Sequence, residues 1–234
     1  MTLAEFFDYL AYSQLSQYAL GTSNNGTISE SDYPRLAMLT NMGLSRLHTK
    51  LNLKMDQVIL RVNSFENKYI LSSKFAKTAP AVDGISRYIE DTVNPFTDNI
   101  IKIEQVVHES NGEYTLNDET DENTIFTPNY RTLQFAQPND GLISVIYRAN
   151  HTKIPVSRTL DPDSIELDIS DILIEALGVY VAASVVGSGG NGESSQEGLI
   201  LMGQFNRRIE SLKLEGIDQV DLSSSNRIWR DKWV

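Results

Sequence analysis

The chain has 234 residues, no cysteine and a formal net charge of −11. That length can bury a core as one domain with a subdomain, and the missing cysteines exclude disulfides and thiolate metal sites while leaving the redox compartment open. The acidic balance argues against an open nucleic-acid-binding face, which needs clustered basic side chains to replace phosphate counterions; an acidic wall past which a polyanion slides without adhering stays compatible with it.

Residues 3–20 read as a first helix, with Leu3, Phe6, Phe7 and Leu10 as a narrow apolar stripe and Gly21 as its stop. The first residues lack a basic start and a continuous apolar run, so no secretory signal is expected. After the turn-rich 22–27, Ser29–Asp32 offer capping side chains and Pro34 fits a first helical turn. A second helix is expected to about Leu51, burying Leu36, Leu39, Leu47 and Leu51, with Gly43 admitting a close neighbour. The short loop predicts an antiparallel helix pair.

From Met55 the apolar period changes to two. Residues 58–62 and 69–71 read as a hairpin, 86–93 as a short helix or loop, and 101–107 as a strand. Asn111-Gly112 predicts a tight turn returning through 114–116, and 132–136 with 142–149 predict a further strand pair. Pro155 and Pro162 end the β region.

Ile165, Leu167 and Ile169 form an extended entry to the most apolar stretch of the chain, 172–186, which Asp168 or Ser170 can cap. Both sides of that helix are apolar, so both must be covered. One side serves the chain's own core. The other meets either more of the chain or a second subunit, with Ile174, Leu177, Val181 and Val185 as the inter-subunit candidates. The glycine-rich 187–194 reads as a connector, and a fourth helix is expected from about Ser195 to Glu215, stopped by Gly216.

Gly187, Gly189 and Gly192 satisfy the spacing of a dinucleotide loop but follow a helix rather than a strand, which favours a linker. His48, His108 and His151 show no paired metal spacing, and His48 reads as a surface or interface residue. Asp118, Glu119, Asp121 and Glu122 lack the alternation and central glycine of a calcium loop, so a solvated hairpin tip is expected. No nucleophile elbow is seen, and neither cofactor nor metal nor membrane span is expected. The end of the chain carries both tryptophans, in the segment Arg227, Ile228, Trp229, Arg230, Trp233. It either folds back on its own domain or docks on another chain through an acidic groove.

The stretches LAYSQLSQYALGTSNNGTISESDYPRLAMLTNMGLSRLHTKLNL, LISVIYRANHTKIP, IELDISDILIEALGVYVAASVV and IWRDKWV occur in this order. Together they resemble head-to-tail adaptor (connector) proteins of tailed bacteriophages, especially short-tailed ones. The resemblance implies a non-enzymatic virion protein in the neck, assembled in the host cytoplasm as a ring of about twelve copies. The ring would join the portal protein to a tail or nozzle protein and let DNA pass without specific binding. Its C-terminal segment would reach onto the portal, and the acids at 118–122 are candidates for the lumen. Alternatives are another neck or tail ring (a stopper or tail-tube component) or a virion-associated hydrolase. The expected fold is α+β: helix pairs at 1–54 and 161–216 forming one elongated helical body, an inserted antiparallel β subdomain at 55–160, and an extended tail at 217–234.

Overall fold

The computed structural model describes residues 1–16, 28–80, 82, 84–110, 112–188 and 192–217. Those residues form four α-helices and two antiparallel sheets, a mixed α+β arrangement. Two compact units divide the chain: Met1–Leu53 with His151–Val234, and Lys54–Asn150.

In the first unit, α1 spans Leu3–Tyr12 and opens with a capping box in which Glu5 N donates to Thr2 Oγ1 and Thr2 N donates to Glu5 Oε2 (3.2 and 2.8 Å). It is shorter than expected. At its end Ser13 Oγ donates to the Tyr9 carbonyl (2.5 Å) and Leu15 N to the Leu10 carbonyl (2.9 Å), so serine chemistry competes with the helical ladder. Residues 17–20 of the expected helix lie outside the described residues. Helix α2, Tyr33–Lys50, carries Pro34 in its first turn as expected. The expected side-chain cap is absent among Ser29–Asp32; a 3-10 turn over Glu30–Asp32 leads in instead.

Helix α3, Asp171–Gly187, is entered by an extended segment that pairs with the chain start: Leu3 N donates to the Ile165 carbonyl and Leu167 N to the Met1 carbonyl (2.8 and 3.0 Å). Ser170 is its N-cap residue without a side-chain capping bond. Helix α4, Gly192–Leu214, begins earlier than expected and ends at Gly216, whose φ of 83° stops it where the sequence places the stop.

Helix α3 is the hub of this unit, and a glycine lies at each of its three crossings. A Cβ at Gly43 of α2 would stand 2.6 Å from Leu177 Cδ1; one at Gly178 would stand 2.8 Å from Tyr9 Cε1 of α1. At the third crossing, Gly198 of α4 faces the backbone of Gly187, with only 2.7 Å left for a Cβ to the Gly187 Cα. The Glu175–Arg208 ion pair (3.3 Å) at the opposite end fixes α4 antiparallel to α3. Arg35 Nη2 donating to Ser188 Oγ (2.7 Å), with Gly43 on Leu177, sets α2 antiparallel to α3 as well.

In the second unit, β1 (Met55–Val62), β3 (Ile89–Glu90), β4 (Ile100–His108), β5 (Gly112–Tyr114) and β8 (Gly141–Ala149) form a sheet in the order β3-β1-β8-β4-β5. Strands β2 (Lys68–Ile70), β6 (Ile125–Asn129) and β7 (Thr132–Phe135) form the second sheet, ordered β2-β7-β6. Period two is visible in β8, whose Ile143, Val145, Tyr147 and Ala149 are buried. The two sheets share one apolar core, in which Phe135 meets Tyr69 and Tyr114 edge-on.

Two expected hairpins are corrected. Strand β1 pairs with β8, Met55 opposite Arg148, while β2 pairs with β7. The segment between β1 and β2 is a side-chain-bonded loop that carries the chain from one sheet to the other: Asn63 Oδ1 accepts from Phe65 N, and Asp140 Oδ1 accepts from Ser64 N. Strands β7 and β8 are likewise in different sheets. The segment 86–93, read as helix or loop, holds the short strand β3 paired to β1. The Asn111-Gly112 expectation holds at its described residue: Gly112 has φ 82° and lies opposite His108.

Candidate interaction surfaces

The doubly apolar character of α3 has an intramolecular explanation. Leu177 and Val181 are fully buried, and Ile174 and Val185 are no more than 9% exposed, all within the core that α1, α2, α3 and α4 build together. The expectation that these four meet a second subunit is therefore corrected, because the chain's own helices already cover them. Truncating a side chain such as Leu177 to alanine costs about 2–5 kcal/mol in such a site.

What α3 does not enclose lies on the outer faces of its neighbours. Tyr12 on α1 is 80% exposed, Met38 and Met42 on α2 are 47% and 49%, and Leu199 and Ile200 on α4 are 70% and 60%. Ile172 at the start of α3 and Leu214 at the end of α4 also face solvent. On α1, α2 and α4 the spacing places these residues opposite the core stripe of the same helix. The sequence signal was present, since 38 and 42 are one turn apart, but a methionine pair on a helix reads as core until its neighbours are known.

The acids at 118–122 lie in the connection between β5 and β6. Their loop is organised by its own side chains: Asp118 Oδ1 accepts from Thr120 N and Oγ1 (2.9 and 2.7 Å), and Asp121 accepts from Thr115 Oγ1 and Asn123 N (2.6 and 2.8 Å). These bonds hold both carboxyls below the usual carboxylate range. Glu119 and Glu122 are exposed. Among the described residues no three histidine, cysteine or acidic side chains are grouped as metal ligands. In the same unit the β1–β2 loop displays Phe65 at 95% exposure on a bonded frame, a surface aromatic that sequence reading passes over.

The histidines are less scattered than the sequence suggests. His48 is 4% exposed rather than at the surface, and its ring lies 5.8 Å from that of His151. His151 Nε2 is 3.0 Å from Asn41 Oδ1, which also accepts from Ile154 N, while Asn41 Nδ2 donates to the Ile154 carbonyl (both 2.9 Å). Burial first, and then the neighbouring His48, push the His151 pKa down to about 4. This group fastens the chain after β8 to α2, and no local motif announces it because its members are over a hundred positions apart. His108, buried in β4, accepts from Ser110 N through Nδ1 (3.0 Å).

Gly187 of the glycine-rich run ends α3 and is used to admit Gly198. Gly189 lies outside the described residues, as do Arg227, Ile228, Trp229, Arg230 and Trp233. No described helix is long and apolar enough to cross a membrane. No protein-family model matches the chain, and no curated protein matches it.

Proposed function

We propose that the chain is a non-enzymatic structural protein of a phage neck, a ring of about twelve copies between portal and tail through which DNA leaves the capsid. One observation carries the reading from the structural side. The helical unit keeps large apolar side chains, Tyr12, Met38, Met42, Leu199 and Ile200, 47% to 80% exposed, although Leu177, Val181, Ile174 and Val185 of its hub helix are already covered. Apolar surface of that kind on separate helices suits contact with neighbouring copies. The ordered series of adaptor-like motifs supports the same reading, and the charge of −11 suits a wall that passing DNA does not adhere to.

In this proposal residues 217–234 dock on the portal, with Arg227, Ile228, Trp229, Arg230 and Trp233 as the anchor, since arginine and tryptophan are the side chains that dominate interface energetics. The acids Asp118, Glu119, Asp121 and Glu122 line the channel in this reading. Deleting 223–234 is expected to leave a folded chain that no longer binds its portal; unimpaired portal binding by the truncated chain contradicts the docking role.

A further inference from the structure

We propose that α1 and α2 carry the two halves of a head-to-tail contact between copies, the acidic stripe Glu5–Asp8–Tyr12 of one meeting the basic stripe Arg35–Met38–Met42–Arg46 of the next. The inference deepens the ring reading and rests on it for the presence of a second copy.

All seven side chains are on the solvent side of their helices. The spacings are three and four residues on α1, and three, four and four on α2, so both are straight stripes along one helical face. From Glu5 to Tyr12 the stripe rises about 10 Å, and the α2 stripe covers that length. Their chemistry is opposite. Helix α1 contains no basic residue, and α2 contains no acidic one, although the whole chain is strongly acidic. Among the described residues neither Arg35 nor Arg46 is in an ion pair, and Arg35 is bonded only to the neutral Ser188 hydroxyl. Asp8 raises the Tyr33 hydroxyl pKa, behind burial and Glu30, and is itself in no ion pair among the described residues. Tyr12 closes the α1 stripe and the two methionines form the middle of the α2 stripe, and a thioether beside an aromatic edge is favourable. Two different faces of one chain that complement each other define a heterologous contact, which closes into a ring when the rotation permits. Opposed charge fixes the register and rejects like against like.

The chain has no cysteine, so introduced ones report unambiguously. In a chain carrying Tyr12→Cys with Met42→Cys, and in one carrying Tyr12→Cys with Met38→Cys, oxidation on the cognate portal ring is expected to give a ladder of covalent multimers in at least one pair, reversed by reductant. Single-cysteine chains give no ladder. Adding Asp8→Arg to the same chain, or Arg35→Asp with Arg46→Asp, is expected to reduce the ladder about tenfold, the equivalent of one lost charge pair. Mixing the two reversed chains restores it, because each then offers the charge the other needs. A disulfide closed within one copy, efficient dimers from a single cysteine, ladders indifferent to charge reversal, or no ladder on a portal that still binds a full ring overturns the stripes and leaves the ring reading standing. Absence of any multimer mass on the portal overturns both.

Discussion

The packing of α4 on α3 predicts opposite outcomes for one substitution made twice in the same helix. Replacing a helical glycine by alanine gains about 0.5–1 kcal/mol from backbone entropy wherever space allows. At Gly203 no heavy atom lies within 4 Å of the added Cβ, so Gly203→Ala is expected to stabilise by that amount. At Gly198 the same methyl meets Gly187 Cα at 2.7 Å, Gly187 N at 2.8 Å and the Ala183 carbonyl oxygen at 3.1 Å. All three are backbone atoms, so no rotamer change relieves them and the two helices must separate. Overpacking of this kind costs about 1–3 kcal/mol. The propensity gain offsets part of it, leaving Gly198→Ala roughly 1 kcal/mol less stable than the parent. The two variants should therefore differ by about 2 kcal/mol, or roughly 4–8 °C in Tm for a chain of this size. Helical dichroism followed against temperature and denaturant measures the difference. Equal stability of Gly198→Ala and Gly203→Ala refutes the close crossing.

Asp91, 3% exposed, accepts from Thr78 N, Thr78 Oγ1 and Phe96 N, and although burial alone would raise its pKa these bonds bring it below the usual range. Its stabilising effect is present above the unfolded carboxyl pKa of about 3.9 and lost as pH falls through the lower folded value. Asp91→Asn should destabilise the β unit by about 1–3 kcal/mol at neutral pH, with parent and variant converging in acid, measured by denaturant midpoints. For His151 the folded pKa of about 4 lies below the unfolded value of about 6.5, so between the two the unfolded chain holds the extra proton. Stability should fall by on the order of 2 kcal/mol as pH drops through that window, and His151→Gln should flatten the fall. Phe65→Ser, at a side chain 95% exposed, should leave stability within about 0.5 kcal/mol, so a larger loss in a melting curve contradicts its free display.

The helices and strands were legible because burial imposes their periods: α2, α4, β4 and β8 lie where the apolar spacing places them. Strand partners were not. The residues that decide that β1 joins β8 lie on β8 itself, 79 to 93 positions away along the paired register, while the local turn residues between β1 and β2 form a loop rather than a hairpin. Helix α1 ends short of the expected stop because Ser13 and Ser16 make backbone bonds that apolar periodicity does not register. For α3 the sequence states that both faces are covered but not by what; the glycines at 43, 178 and 198 supply the answer only once their crossings are seen. Exposed Tyr12, Met38 and Met42 carry the same ambiguity in reverse, since residues of those types are equally at home in a core.

In the proposed ring the helical unit assembles copies of itself around a portal. The mass of the purified chain bound to a portal ring is the decisive measurement: one closed assembly of about twelve copies is expected, weakened about tenfold by charge reversal along α2. Chains that bind the portal singly, with occupancy rising one copy at a time and no closed species, contradict it.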